Sequence, residues 1–189
     1  MKKLGAKLAS RSQQKKEMRL EALQAQRSPF PRDLLQSIYT IEGNRKCFDC
    51  RADGEHEWAD ILHGVIVCMQ CATKRRRLGT HLAFVRSLKM DLWDPTQAKA
   101  LVLGGNAQLK GFFRRQKLLK DKTLKERCSS SQATYYREKL LEQVQMEMSS
   151  SAESGGWAVL QKDKERLDAE AGLEQSKKEE EAERGGRAR

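Results

Sequence analysis

Two cysteine pairs constrain this chain more than any other feature of its sequence. Cys47 and Cys50 form one CxxC motif, Cys68 and Cys71 form a second, and 17 residues separate the pairs. Each pair can make a tight turn that directs two thiolates at one metal ion, and two pairs at this separation are typical of a four-cysteine zinc site. Soft thiolates favour zinc over magnesium or calcium, and four protein ligands leave no open position for water. We therefore predict one structural Zn²⁺, with unmetallated cysteine pairs as the alternative.

Positive charge is unevenly placed along the chain. The 189 residues carry a formal net charge of +11, made up of +6 in residues 1–29, +7 in residues 30–148 and −2 in residues 149–189. Such a balance indicates a negatively charged partner surface, either phosphate or anionic lipid. No apolar run approaches the ~20 residues of a membrane span, and no apolar segment follows the basic N-terminus as it would in a signal peptide. We expect a reducing, cytoplasmic location.

Composition divides the chain into three parts. Residues 1–29 form a basic arm, expected to be disordered or a frayed helix, which ends at the proline-rich "SPFPRD". Residues 30–148 contain the cysteines and the regular apolar patterns of a folded body. The Ser/Gly-rich "SSSAESGG" then opens a charged tail over residues 149–189, expected to be disordered or marginally helical, with a partner-binding helix as the alternative.

Short elements are predicted within the body. "DLLQSIYTIEGN" predicts a helix that ends by Gly43, "GVIVC" predicts a strand, and "FVRSLKMDLW" predicts a second strand with Phe84, Leu88 and Met90 on one face. "DPTQAKALVLGGN" predicts a helix with Asp94 as N-cap, and "TYYREKLLEQVQMEM" predicts an amphipathic helix. The apolar residues of that last helix are Tyr136, Leu140, Leu141, Val144 and Met148.

Many dispersed positions agree in order with one known pattern. After the second cysteine pair come Arg76, Leu78, Gly79 and His81, then "VRSLKMDLW" with Asp91 and Trp93, then Gly105-Asn106; Trp58 precedes "GVIVC". Over about residues 30–148 the chain resembles the zinc-finger domain of Arf GTPase-activating proteins, most of all their Golgi-type branch. The matching Trp58, Asp91, Trp93 and Asn106 are expected to have structural roles.

The resemblance implies a fold and a mechanism. The fold would be α+β: a small four-cysteine zinc-finger domain with a short, about three-stranded sheet surrounded by helices. The partner would be an Arf-family GTPase in its GTP-bound form, and Arg76 would be an arginine finger inserted in trans, worth ~10³–10⁵ in rate. The protein would thus be a regulator and not itself an enzyme, with no nucleotide site of its own; no "GxxxxGK[ST]" occurs in the sequence. Coat proteins are a further partner class, and the location would be peripheral at Golgi or endosomal membranes.

Three departures from the pattern lie close to the metal site. Ala72-Thr73 replaces Ser-Gly, Arg75 replaces the usual His, and the spacer between the cysteine pairs is one residue longer. They motivate an alternative function, a catalytically weak or inactive adaptor that binds Arf, coat or anionic lipid. A zinc-supported nucleic-acid-binding module is the least favoured alternative, since it rests only on charge and metal.

Basic residues outside Arg76 are weaker candidates. As contacts to a partner or to lipid they are Lys74, Arg75, Arg77, Arg114, Arg115 and Lys117. For Lys74, Arg75 and Arg77, each taken alone, a solvated charge is the simpler interpretation.

Overall fold

The structure is a computed structural model that describes Gln13 and residues 27–119, 122–149 and 156–186. Its strands are β1 (Ser28–Pro29), β2 (Trp58–Asp60), β3 (Val65–Val67), β4 (Val85–Ser87) and β5 (Leu92–Trp93). Its helices are α1 (Arg32–Thr40), α2 (Met69–Arg76), α3 (Pro95–Leu103), α4 (Asn106–Arg115), α5 (Leu124–Ser129), α6 (Ser131–Ser149) and α7 (Gly156–Gly186). The α+β class is confirmed. Among the described residues, no helix is long and apolar enough to cross a membrane.

The strands form two small antiparallel sheets. The larger has the strand order β3-β2-β4, and Trp58 of β2 lies opposite Val67 of β3 and Ser87 of β4. β1 pairs with β5, and the ring of Phe30, just after β1, packs edge-on against Trp93 at 5.0 Å. All three residues of β3 are buried, so the strand predicted from "GVIVC" is confirmed.

The second predicted strand is correct only in part. Regular pairing in "FVRSLKMDLW" stops at Ser87 and resumes at β5. A turn separates the two because the Ser87 hydroxyl accepts hydrogen bonds from the backbone N–H groups of Lys89 and Met90, while the Asp91 carboxylate accepts from Ser87 N–H at 2.7 Å. Met90 is 72% exposed, so its predicted place on a buried face is wrong.

The three predicted helices of the body are present in the structure. α1 ends at Thr40 and buries Leu34, Leu35 and Ile38. In α3, Asp94 accepts a hydrogen bond from the backbone N–H of Gln97 at 3.0 Å, and the Gln97 side chain accepts from the Asp94 N–H. α6 buries Tyr136, Leu140 and Val144; Leu141 is 54% exposed, so it lies outside the predicted apolar face.

The two terminal parts differ in how far the structure describes them. Residues 1–26, Gln13 apart, lie outside the described residues, and so does the predicted disorder of that arm. In the tail the structure has α7, whose first half packs on α1 and α3. Among the side chains of α7 that the structure describes, the buried ones are Val159, Leu160, Asp163 and Leu167. This differs from the expected marginal helix because an apolar stripe, weak in isolation, here has a packing surface.

A buried cation joins α7 to the body. Lys99 of α3 is 1% exposed, and its ammonium lies 2.7 Å from Asp163 of α7 and 2.6 Å from Glu147 of α6. A buried cation is strongly unfavourable unless it is paired. The described part of α7 that carries Asp163 is therefore continuous with the core of the domain.

Candidate functional site

Four cysteine sulfurs meet at one point of the fold. The Sγ atoms of Cys47, Cys50, Cys68 and Cys71 all lie within 4.8 Å of one another, and those of Cys50 and Cys68 are 3.7 Å apart. A tetrahedral zinc with Zn–S bonds of about 2.3 Å requires sulfurs about 3.8 Å apart. The donor set and its spacing fit a thiolate-bound metal, as the sequence predicted.

Local structure holds the two cysteine pairs against each other. Cys68 follows β3 as the N-cap of α2, and its backbone N–H points at the Cys47 sulfur at 3.2 Å. Asn106, fully buried, donates to the carbonyls of Lys46 and Ile66 and accepts from Ile66 N–H at 2.8 Å. Lys46 and Ile66 each lie just before a cysteine pair. Asn106 thus fixes the separation of the two half-sites, which gives its expected structural role a physical basis.

Burial and crowding raise the pKa of one cysteine of the cluster, Cys71, when no cation is bound. Burial, together with hydrogen bonds and charge from the neighbouring Cys68 and Cys47 sulfurs, raises the pKa of Cys71. Several thiolates so close together repel one another, and a divalent cation at their centre would reverse that effect because metal-bound thiols lose their protons. Without a cation the Cys71 thiol is therefore protonated at neutral pH, and binding of a metal by the cluster would release that proton.

Basic residues at the end of α2 have two different environments. Arg76 is exposed, and its guanidinium lies over the ring of Trp58, 4.3 Å from the centroid. In the described part of the chain it has no carboxylate partner. Lys74 and Arg77 are exposed as well. Arg75 is 1% exposed, so its prediction as a contact for a partner or lipid is wrong: successive helical residues point about 100° apart, and Arg75 points inward.

Arg75 is paired on both sides of its guanidinium. It donates through Nε and Nη2 to the two oxygens of Asp49, at 2.7 and 2.9 Å, and through Nη1 to Asp60 Oδ2 at 2.6 Å. Burial alone would lower the pKa of Arg75, but the charges of Asp49 and Asp60 raise it. The guanidinium therefore stays charged inside the protein.

Asp60 is the buried centre of this network. Its Oδ2 also accepts from His63 Nδ1 at 2.9 Å, and its Oδ1 accepts from the backbone N–H groups of Leu62 and Phe84. Burial alone would raise the pKa of Asp60, but His63 and Arg75 outweigh it and hold the pKa below its usual range. Because all these partners favour the charged form, Asp60 is an ionised carboxylate in the folded protein.

The residues that depart from the pattern are accommodated in α2. Ala72 is buried, and Thr73 has ordinary helical geometry, with its hydroxyl donating to the Met69 carbonyl at 3.1 Å. Left-handed backbone is needed one turn later, at Gly79 (φ +89°), where a Cβ would lie 2.9 Å from the His81 ring. Replacing Ser-Gly by Ala-Thr therefore demands no unusual backbone angle next to Arg76.

The other predicted residues lie apart from the cysteines. Trp93 is fully buried and donates from its indole N–H to the Ser87 carbonyl at 2.8 Å, so it is structural, like Asp91 in the turn before it. Arg114, Arg115 and Lys117 are exposed at the end of α4.

Comparison with known proteins identifies the family. The family model ArfGap, described as "Putative GTPase activating protein for Arf", matches residues 32–149. The chain belongs to the ArfGap family. That match includes the four cysteines, Trp58, Arg76 and Asn106, and it ends where α6 ends.

Individual relatives agree over the same region. ADP-ribosylation factor GTPase-activating protein 3 of Pongo abelii is 34% identical over 116 residues, which are 59% of this chain and 22% of that protein. ADP-ribosylation factor GTPase-activating protein GCS1 of Saccharomyces cerevisiae is 34% identical over 112 residues, 59% of this chain and 32% of that protein. The chain thus covers less than a third of the length of the first of these relatives.

A solved structure matches the fold. The "putative GTPase activating protein for ADP ribosylation factor from Cryptosporidium parvum" superposes with a TM-score of 0.53 at 28% identity, over 61% of this chain and 96% of that one. The match therefore covers nearly all of that solved chain.

Three residues of this ArfGap domain that sequence reasoning missed are Asp49, Asp60 and His63. Asp49 in the first cysteine turn and Asp60 of β2 bind Arg75, and His63, in the turn after β2, supports Asp60. The only available signal was the acidic residue inside "CFDC" and the close pair of Asp60 and His63. Neither indicates burial or a basic partner until the fold brings α2 against them.

Proposed function

We propose that the protein stimulates GTP hydrolysis by an Arf-family GTPase in its GTP-bound form, with Arg76 as an arginine finger supplied in trans. The observation that carries this proposal is the exposed guanidinium of Arg76, unpaired with any carboxylate of the described residues, at the end of a helix that starts on the cysteine cluster. A planar, permanently charged guanidinium stabilises charge that develops on the transferred phosphoryl group. The GTPase would hold the nucleotide, and this chain would supply the arginine.

The resting contact of Arg76 suits such a role. An exposed cation–π contact is worth about 0.5–1 kcal/mol, so Arg76 leaves the Trp58 ring at little cost when a stronger anionic partner arrives. Lys74 and Arg77 flank it in solvent and would attract an acidic or phosphate-bearing surface.

We also propose that the metal is zinc, bound by Cys47, Cys50, Cys68 and Cys71. Zinc with four thiolate ligands has no open position, so its contribution would be structural. It would fix the start of α2 and thereby the place where Arg76 emerges. Metal analysis of the purified chain checks this identity.

The decisive experiment compares Arg76→Lys with Arg32→Lys. Both substitutions keep the charge, and Arg32 is exposed on α1. With Arf·GTP on lipid vesicles, we expect Arg76→Lys to lower the stimulated rate by about 10³-fold and Arg32→Lys to leave it unchanged, with metal content and circular dichroism equal in both. Absence of stimulation by the wild-type protein, across several Arf-family members, would overturn this function and favour the adaptor.

We further propose that the exposed basic residues at the end of α4 contact anionic membranes, consistent with a peripheral location at Golgi or endosomal membranes. Each basic residue near such a surface is worth about 1 kcal/mol. Arg114→Glu together with Arg115→Glu is expected to reduce co-sedimentation with phosphatidylserine vesicles at least tenfold and to disperse a fluorescent fusion from membranes. Unchanged binding by the double variant would contradict the proposal.

A further inference from the structure

Arg75 and Arg76 are neighbours that contact the same strand from the end of α2. Arg76 lies over Trp58 and Arg75 donates to Asp60, and these two residues are positions i and i+2 of β2. Side chains two apart in a strand project from the same face. α2 is therefore attached to one face of β2 at two adjacent points, one buried and one exposed.

The buried attachment also reaches the cysteine cluster. Asp49 lies between Cys47 and Cys50 in the first cysteine turn, and its carboxylate accepts hydrogen bonds from Nε and Nη2 of Arg75. The Arg75 guanidinium thus joins three segments: the first cysteine turn, β2 and the last turn of α2. Bidentate pairing fixes orientation as well as distance, because both N–H vectors of the fork must align with the carboxylate.

We propose that Arg75 is a positioning residue for the finger: held between Asp49 and Asp60, it sets the rotation of the last turn of α2 and so directs Arg76 outward over Trp58. His63 supports this arrangement by donating to Asp60 from Nδ1. The family pattern has His at the position of Arg75, so the pairing of Arg75 with Asp49 and Asp60 is not part of that pattern. As far as catalysis is concerned, this inference rests on the proposed GTPase-activating function.

Lysine cannot replace arginine in such a network. Its ammonium keeps the charge but lacks the planar fork that spans Asp49 and Asp60 together. Arg75→Lys therefore loosens the orientation of the last turn. Asp60 keeps its hydrogen bonds from His63 and from two backbone N–H groups, and Asp49 keeps Arg127 at 3.7 Å. A misplacement of about 1 Å can cost about 10²-fold in rate.

The kinetic arm of the test uses the full-length, metal-loaded chain. We expect Arg75→Lys to lower kcat for Arf·GTP hydrolysis about 10- to 100-fold, with KM changed by less than about threefold, since Arg75 is buried and does not reach the partner. Lys99→Met is the control: it removes a buried cation whose partners lie on α6 and α7, so it costs stability but leaves kcat of the folded protein unchanged. Arg75→Met, the same change at the proposed site, is included if it folds.

A second readout does not depend on any GTPase. The emission of Trp58 is isolated by subtracting, for each variant, the spectrum of the same variant with Trp58→Phe. Arg76→Ala defines the emission without the guanidinium. We expect the Trp58 emission of Arg75→Lys to shift at least halfway from the wild-type spectrum toward the spectrum of Arg76→Ala. The Trp58 emission of Lys99→Met should equal that of the wild type.

Several outcomes would overturn the inference. Unchanged Trp58 emission in Arg75→Lys would do so, as would a kcat within about threefold of wild type or an effect confined to KM. Equal kcat losses in Arg75→Lys and Lys99→Met would show a merely structural role. If the wild-type protein stimulates no Arf, the proposed function fails, and the Trp58 emission alone decides whether Arg75 positions Arg76.

Discussion

At the residue scale, the basic block after the cysteines separates into members with different roles. Arg75 and Arg76 are adjacent in sequence, yet one is 1% exposed between two carboxylates and the other lies in solvent on an indole ring. A helix places consecutive side chains about 100° apart, so a short helix packed on a sheet can direct one of them inward and its neighbour into solvent. The inward arginine is tolerated because Asp49 and Asp60 pair with it and leave no buried charge uncompensated.

The cysteines give a prediction at this scale. Cys68→Ser is expected to reduce zinc well below one ion per chain and to lower the thermal midpoint, because a structural zinc contributes its binding free energy to folding. Cys128→Ser is the matched control: Cys128 is buried but lies outside the cluster of four, so its variant should retain one zinc. Metal content measured by mass spectrometry checks both, and equal zinc loss in the two variants would contradict the assignment.

At the element scale, helices followed their sequence signals more closely than strands did. The start of α3 is set by neighbouring residues alone, since Asp94 and Gln97 satisfy each other's backbone N–H groups. The segment over residues 84–93 has alternating apolar residues, but the side chains of Ser87 and Asp91 bind backbone N–H groups and form a turn inside it. Such local side-chain hydrogen bonds compete with strand pairing.

The cap of α3 can be tested by substitution. Asp94→Ala is expected to lower the free energy of unfolding by about 1 kcal/mol, because the N–H of Gln97 loses its acceptor. Asp94→Asn keeps an oxygen in place and should cost only a few tenths of a kcal/mol. Urea unfolding followed by circular dichroism distinguishes the two, and equal losses would mean that the charge of Asp94, and not its capping bond, stabilises the helix.

At the scale of the whole molecule, α7 extends the domain beyond the region that the family model matches. The match ends at residue 149, whereas Leu160 and Leu167 of α7 join the hydrophobic core, and Asp163 pairs with the buried Lys99. The far half of α7 includes the 64% exposed Leu173. The same helix is therefore part of the core at its start and solvated further on.

Two identical substitutions along α7 test this arrangement. Leu160→Ala is expected to lower the free energy of unfolding by about 2–5 kcal/mol, because it leaves a cavity at a side chain that is 1% exposed. Leu173→Ala should stay within about 0.5 kcal/mol of wild type. Denaturant unfolding measures both, and a neutral Leu160→Ala would show that α7 does not pack on the domain in solution.

The sequence by itself determined the pairing of the four clustered cysteines, the capped helix α3, the buried strand β3 and the match of Arg76 to the family pattern, because spacing and neighbouring residues decide these features. Only the tertiary structure decided that Arg75 is buried, that Asp49, Asp60 and His63 support it, and that the start of α7 packs on the core. The reason is that these features join segments far apart in sequence. A buried charge is acceptable only where the fold brings its counterion to it, and an apolar stripe is stabilised as a helix only where another surface covers it.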